Sequence, residues 1–152
     1  MVEYFVLSSA CLAGVNSRYD GKNSENEIVA QLVKHGKAIP VCPEQLGDLY
    51  TPRPSCEIII NEIGDKRVIS KENQDCTKEY YLGAERTLAI AKVLGVKKVI
   101  LKSKSPSCGC GLIYDGSYSG KLMSGNGITE ELLINNGIEV FTEDNLELNS
   151  CF

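Results

Sequence analysis

Short apolar runs rich in valine and isoleucine recur along the chain at positions 4–7, 38–41, 96–101 and 138–141. Their lengths and β-branched content predict buried strands. Helical patterns fill the intervals. The first opens at Ser24-Glu25-Asn26-Glu27, a capping box in which Ser24 accepts the amide three residues on and Glu27 reaches back. Ile28, Val29, Leu32 and Val33 then share a face, and Gly36 ends the helix in the left-handed conformation. A second helix is predicted over about residues 75–94, with Tyr81, Ala84, Leu88 and Ala91 as its apolar stripe and Gly95 as its stop. A third starts near Thr129, presents Glu130 and Glu131 to the positive end of its dipole, and stops at Gly137.

This alternation predicts an α/β fold, a mostly parallel sheet with helices on both faces. The exception is CEIIINEIGDKRVIS, Cys56 to Ser70, which reads as a β-hairpin or a loosely attached β excursion. No composition shift or linker divides the chain, so residues 1–152 are expected to form a single domain. The tripeptide YDG occurs at Tyr19–Gly21 and again at Tyr114–Gly116, as expected of Asp-Gly turns.

The net charge of −4 and the lack of a basic run argue against a surface that tracks a nucleic-acid polymer. The N-terminal MVEYFVLSSACLAG has no basic start, and its apolar run is too short for export or membrane spanning. A cytoplasmic protein is expected. In that reducing compartment seven cysteines, an odd number, are more readily metal ligands or catalytic groups than cross-links.

Their positions sharpen the point. Cys11 follows the first predicted strand, Cys42 the second and Cys108 the third. Loops at the carboxyl ends of parallel strands form the ligand crevice of an open α/β sheet, so this fold would gather the three. Structural zinc favours four ligands, often in C-x-x-C pairs; the chain has no such pair, and its one histidine, His35, reads as a surface or helix-capping residue. A cubane iron–sulfur cluster normally takes four cysteines; with three, one iron keeps an open position. The competing explanation is that all three thiols are small packed residues at strand ends. Packing is also the expectation for Cys56, Cys76, Cys110 and Cys151, with Cys110 near enough to Cys108 to assist it.

Glu44, two residues after Cys42, is either a proton-moving group or an acid in the first turn of a helix opened by Pro43. Ser105 and Ser107 are hydrogen-bond donors or turn serines. Arg53, in TPRPSC, is either a clamp for a polar ligand or a surface residue, and Lys102 and Lys104 carry the same two alternatives.

Taken together, SACLAGVNSRYDG, PVCPEQLGDLYTPRP, ILKSKSPSCG and IYDGSYSG resemble the thiouracil desulfidase family over nearly the whole chain. The resemblance implies a Rossmann-like fold and a 4Fe–4S cluster held by Cys11, Cys42 and Cys108, with Glu44 and Ser105 as the acid–base groups. It also implies a reaction. The open iron takes the sulfur of a small thiolated pyrimidine, water replaces sulfur at the ring carbon, and sulfide leaves without net redox change. The alternative is a non-catalytic iron–sulfur or zinc module that handles metal or sulfur with a partner. A metal-free nucleotide-binding domain is a third possibility, though no phosphate-loop or G-x-G-x-x-G pattern is present. The chain departs from the family pattern at Ser17, at Asp48 after Gly47, and at Ser55-Cys56, near the expected substrate rim.

Overall fold

The computed structural model of the chain describes residues 6–146. Strand β1 (Val6–Ser9) runs into a 3-10 turn (Ala10–Ala13) and is followed by α1 (Glu27–Lys34), β2 (Ala38–Val41) and the one-turn helix α2 (Pro43–Leu46). The hairpin β3 (Cys56–Ile60) and β4 (Lys66–Ser70) precedes the long helix α3 (Thr77–Leu94) and β5 (Lys98–Leu101). A second small hairpin, β6 (Leu112–Tyr114) and β7 (Leu122–Ser124), leads to α4 (Ile128–Asn135) and β8 (Glu139–Thr142).

The main sheet is parallel, in the order β2-β1-β5-β8. The chain moves from β1 outward to β2, then crosses back over β1 to β5 and continues to β8 on the other side. Right-handed crossovers toward opposite edges put their helices on opposite faces, and the core divides accordingly. Val6, Ala38 and Ile100 pack with Val29 of α1, while Leu7, Val99 and Leu101 pack with Ala91 of α3 and Leu133 of α4. All four residues of β1 are buried, as a central parallel strand covered on both faces requires. Among the described residues the first strand covers Val6–Ser9 and so runs past the predicted end at position 7; Tyr4, Phe5 and Cys151 fall outside the described residues.

The helices form as expected, but their caps and faces shift. Asn26, not Ser24, caps α1, accepting from the amides of Ile28 (3.0 Å) and Val29 (3.2 Å). Ser24 instead accepts from Arg18. In α3 the buried stripe runs through Tyr80, Ala84, Thr87 and Ala91, and Tyr81 is exposed. Stretches such as Tyr80-Tyr81 look alike to a period-based reading, and only packing selects the inward one. The β3–β4 hairpin is firmly attached, its Ile58 and Val68 forming one cluster with Tyr80, Ala84, Ile113 and Ile128.

Two contacts set the site loops in place. Helix α2 presses backbone-to-backbone on α3 through Gly47 and Gly83, where an added Cβ would come within 2.0 Å of the Glu79 carbonyl and 1.9 Å of the Pro43 carbonyl. The loop after β5 docks on the start of α4, whose otherwise orphan amides are taken up: Ile128 N donates to Pro106 O (2.9 Å) and Thr129 N to Ser107 O (2.8 Å).

At that helix start the two acids have different fates. Glu131 pairs with Lys66 at 2.5 Å. Glu130 is only 1% exposed, and neither of its carboxylate oxygens has a nitrogen or oxygen donor; the weakly donating Cys110 thiol approaches it. Burial raises the Glu130 carboxyl above its ordinary 4.5. A carboxyl whose pKa is raised by folding favours the folded state at low pH, and that contribution is lost as pH rises through the folded-state value. Glu130→Gln, which removes the charge, should therefore raise the melting temperature at pH 8 by roughly 2–4 °C, equivalent to about 1 kcal/mol, and the gain should disappear near pH 4. A gain independent of pH would contradict a buried, titrating carboxyl.

Candidate active site

The crossing point between β1 and β5 is where connections leave the sheet in opposite directions, and such a point opens a crevice at the strands' carboxyl ends. A cavity of about 420 Å³ lies there, lined by residues of all the predicted site segments. Cys11 comes from the 3-10 turn after β1, Cys42 from the N-cap of α2 after β2, and Cys108 from the loop after β5. All three are buried and unbridged. Among the described residues no group of three or more His, Cys, Asp or Glu side chains is arranged to hold a single metal ion.

Their environment is desolvated and shared. Burial first, and the Glu44 carboxylate second, push the Cys11 thiol up to about 12 and the Cys42 thiol up to about 11. Cys108 is pushed up by the same two causes in the same order, and the charges of Cys11 and Cys42 add to it. A soft cationic group that binds three thiolates reverses this penalty, and its binding displaces the protons. A polar partner is already in place: Ser9 Oγ points its hydroxyl at Cys108 Sγ (3.5 Å) and accepts from Lys102 N (2.9 Å). Three soft donors on three walls, with hydrogen bonding to sulfur, match the requirements of an iron–sulfur cluster better than those of a four-ligand zinc ion.

Glu44 does stand in the first turn of a helix after Pro43, and it also faces the cavity. Its Oε2 lies 2.7 Å from Arg53 Nη2 and 3.6 Å from Cys42 Sγ, and its Oε1 lies 3.4 Å from Ser105 Oγ. Ser105 Oγ accepts from the amides of Ser107 and Cys108, both at 3.1 Å. With its acceptor capacity so used, its proton is directed at Glu44. Ser107 parts from Ser105: it is buried against Thr129, with the two hydroxyl oxygens 2.9 Å apart, and serves to dock the loop. Cys110 is not in the cavity wall but beside Glu130.

His35 is exposed, its Nδ1 2.8 Å from the Gln31 carbonyl at the end of α1, as a capping residue should be. Arg53 is neither a surface residue nor a free clamp; it is buried and paired with Glu44. Lys102 lines the cavity and pairs with Glu143 at 2.8 Å. Lys104 also lines it, held at a φ of 65°. Asp48 has a φ of 70°, a left-handed conformation that Asp tolerates better than most residues. Both YDG segments are turns in which the Asp side chain accepts an amide two residues on. Their tyrosines, Tyr19 and Tyr114, nevertheless line the cavity together with Tyr80 and Cys56, which turn chemistry alone did not reveal. Ser9 was also missed, because a serine at a strand end carries no periodic signal.

Fold and site together define an α/β protein with a three-cysteine centre and a carboxylate–hydroxyl pair at the switch point of a parallel sheet. The model of the 2-thiouracil desulfurase family matches residues 6–145. The chain belongs to that family. It is 41% identical over 148 residues to the uncharacterized protein YbbK of Bacillus subtilis (strain 168), a match covering 93% of this chain and 97% of that one. Its fold superimposes on the 4Fe–4S-dependent thiouracil desulfidase TudS with a TM-score of 0.86 at 38% identity, covering 96% of this chain and 95% of TudS. No helix among the described residues is long and apolar enough to cross a membrane.

The desolvation of the thiols has a direct readout. In folded, cluster-free protein kept under argon, alkylation of Cys42 by iodoacetamide should rise about tenfold per pH unit from 7 to 10, following its thiolate fraction. A plateau near pH 9, the ordinary thiol value, would show that Cys42 is not desolvated.

Proposed function

We propose that this protein is an iron–sulfur-dependent desulfidase that converts a small thiolated pyrimidine, thiouracil in the simplest case, into the oxygen analogue and sulfide. The observation that carries this is the meeting of Cys11, Cys42 and Cys108, from three strand ends, in one cavity with Glu44 and Ser105 on its wall. Family membership and the likeness to TudS support the same activity and cofactor. Cys11, Cys42 and Cys108 would hold the 4Fe–4S cluster. When bound through three protein ligands, the cluster supplies a thiophilic Lewis acid with one open coordination position.

The remaining chemistry belongs to the chain. The overall change exchanges a carbon–sulfur double bond for a carbon–oxygen one: thiouracil plus water gives uracil plus hydrogen sulfide, with no electrons gained or lost. Two protons must therefore move from water to sulfur. Glu44 takes one proton from water as the water oxygen adds to the ring carbon and returns it to the sulfur. It then takes the second from the new hydroxyl as the carbonyl forms and passes it to the leaving sulfur in the same way. Ser105, its hydroxyl polarised by two backbone amides, donates toward the carboxylate and steadies it through the transfer. Tyr19, Tyr80 and Tyr114 enclose the cavity with flat, apolar surfaces suited to a pyrimidine ring. Unbridged buried thiols are suited to a reducing cytoplasm.

Anaerobic reconstitution with iron and sulfide should give brown protein with about four irons per chain, and this protein should release sulfide from 2-thiouracil or 4-thiouracil. Cys11→Ala, Cys42→Ala and Cys108→Ala should each abolish both properties. Glu44→Gln should retain iron but lower kcat by about 10²–10⁴-fold, the range expected for lost acid–base catalysis. A fully loaded wild-type protein that leaves both thiouracils intact would overturn the assignment.

A further inference from the structure

We propose that Arg53 is a positioning residue, one that fixes the plane of the Glu44 carboxylate, so that one oxygen stays committed to the guanidinium and the other is left to work on the substrate. The inference rests on Glu44 being the group that moves protons. The terminal torsion of a glutamate is broad, so an untethered carboxylate turns freely about it. Here that rotation is restrained. Arg53 Nη2 holds Oε2 at 2.7 Å, leaving Oε1 toward Ser105 at the longer distance of 3.4 Å. The held oxygen is also the one 3.6 Å from Cys42 Sγ. Arg53 thus binds the oxygen nearest a candidate cluster ligand and turns the other toward Ser105.

Arg53 has the rigidity this needs. Its Nη1 donates to Thr51 Oγ1 (2.8 Å) and Tyr50 O (3.2 Å), and its Nη2 donates also to Ser17 O (3.1 Å). Its own backbone amide is tied to Tyr19 O at 2.8 Å, and prolines on either side restrict the chain. The Arg53 side chain is 7% exposed and the Glu44 side chain 15%, so water competes little for either. With four acceptors satisfied, the guanidinium has no open fork to offer a substrate anion. Lysine, a point charge without the planar fork, cannot serve the same acceptors.

The test uses anaerobically reconstituted enzyme. Arg53→Met should keep the wild-type iron content and cluster absorbance, keep KM within about threefold, and lower kcat by about 10²-fold, the scale expected for a misplaced catalytic group. Arg53→Lys should stay at least about tenfold below wild type. The deciding measurement is a double-mutant cycle: in a Glu44→Gln background, Arg53→Met should change kcat by less than about twofold, because the group it positions is already gone. Melting of the cluster-free proteins gives a second cycle. Arg53→Met alone should lower the melting temperature by leaving a buried carboxylate unpaired, and adding Glu44→Gln should restore part of the loss. Wild-type kcat in Arg53→Met, loss of iron from it, or additive losses in the two cycles would each overturn the proposal. Full activity of Glu44→Gln alone would instead overturn the assignment of Glu44 on which it rests.

Discussion

The parting of the chain at β1 and β5 is the constraint on which the rest depends. One connection leaves β1 for β2, the next recrosses to β5, and the strand ends between them cannot be closed over by a direct loop. Residues far apart in sequence are brought to one edge for this reason alone. Cys11, Cys42 and Cys108 need no mutual attraction to converge; each only has to follow a strand of the same parallel sheet. Because the strands are short and their side chains fill both faces of the sheet, their ends are placed by the core and not by the site.

Loops that hold a reactive centre have to be rigid without regular ladders of hydrogen bonds, and two devices achieve this. The loop carrying Ser105 and Cys108 lends its carbonyls to the amides that α4 leaves unpaired, so each end satisfies the other. The turn carrying Cys42 and Glu44 is held by backbone contact between α2 and α3, which glycine at 47 and 83 alone makes possible. In this way the site loops inherit the stiffness of two helices, and the distances among thiol, carboxylate and hydroxyl are set by backbone packing.

Electrostatics then decides what those groups can do. Three buried thiols and a carboxylate in one cavity form a negatively biased, desolvated space, in which each thiol is kept neutral until a cation compensates it. Arg53 balances Glu44 on the protein's side, and Lys102 is occupied by Glu143. An ion pair this buried is weak evidence for stability, since desolvation offsets the attraction. Its presence is better accounted for by the role proposed for it, holding a carboxylate in place beside the three thiols.

Much of this was legible in the sequence. The alternation of apolar runs and capped helical segments is a local signal, and it determined the α/β class, the parallel sheet and the helix stops at Gly36, Gly95 and Gly137. The motifs around Cys11, Cys42 and Cys108 determined the family, and with it the activity expected. Tertiary structure decided what local patterns leave degenerate. Whether Tyr80 or Tyr81 turns inward, and whether Ser24 or Asn26 caps α1, depends on packing partners that a periodicity cannot see. The partners of Arg53, the hydroxyl of Ser9 on Cys108, and the separation of Ser105 from Ser107 are contacts between distant segments. A sequence determines which side chains are available and roughly where the backbone turns; hydrogen-bond partners and buried charges are settled only when the folded chain removes water from around them.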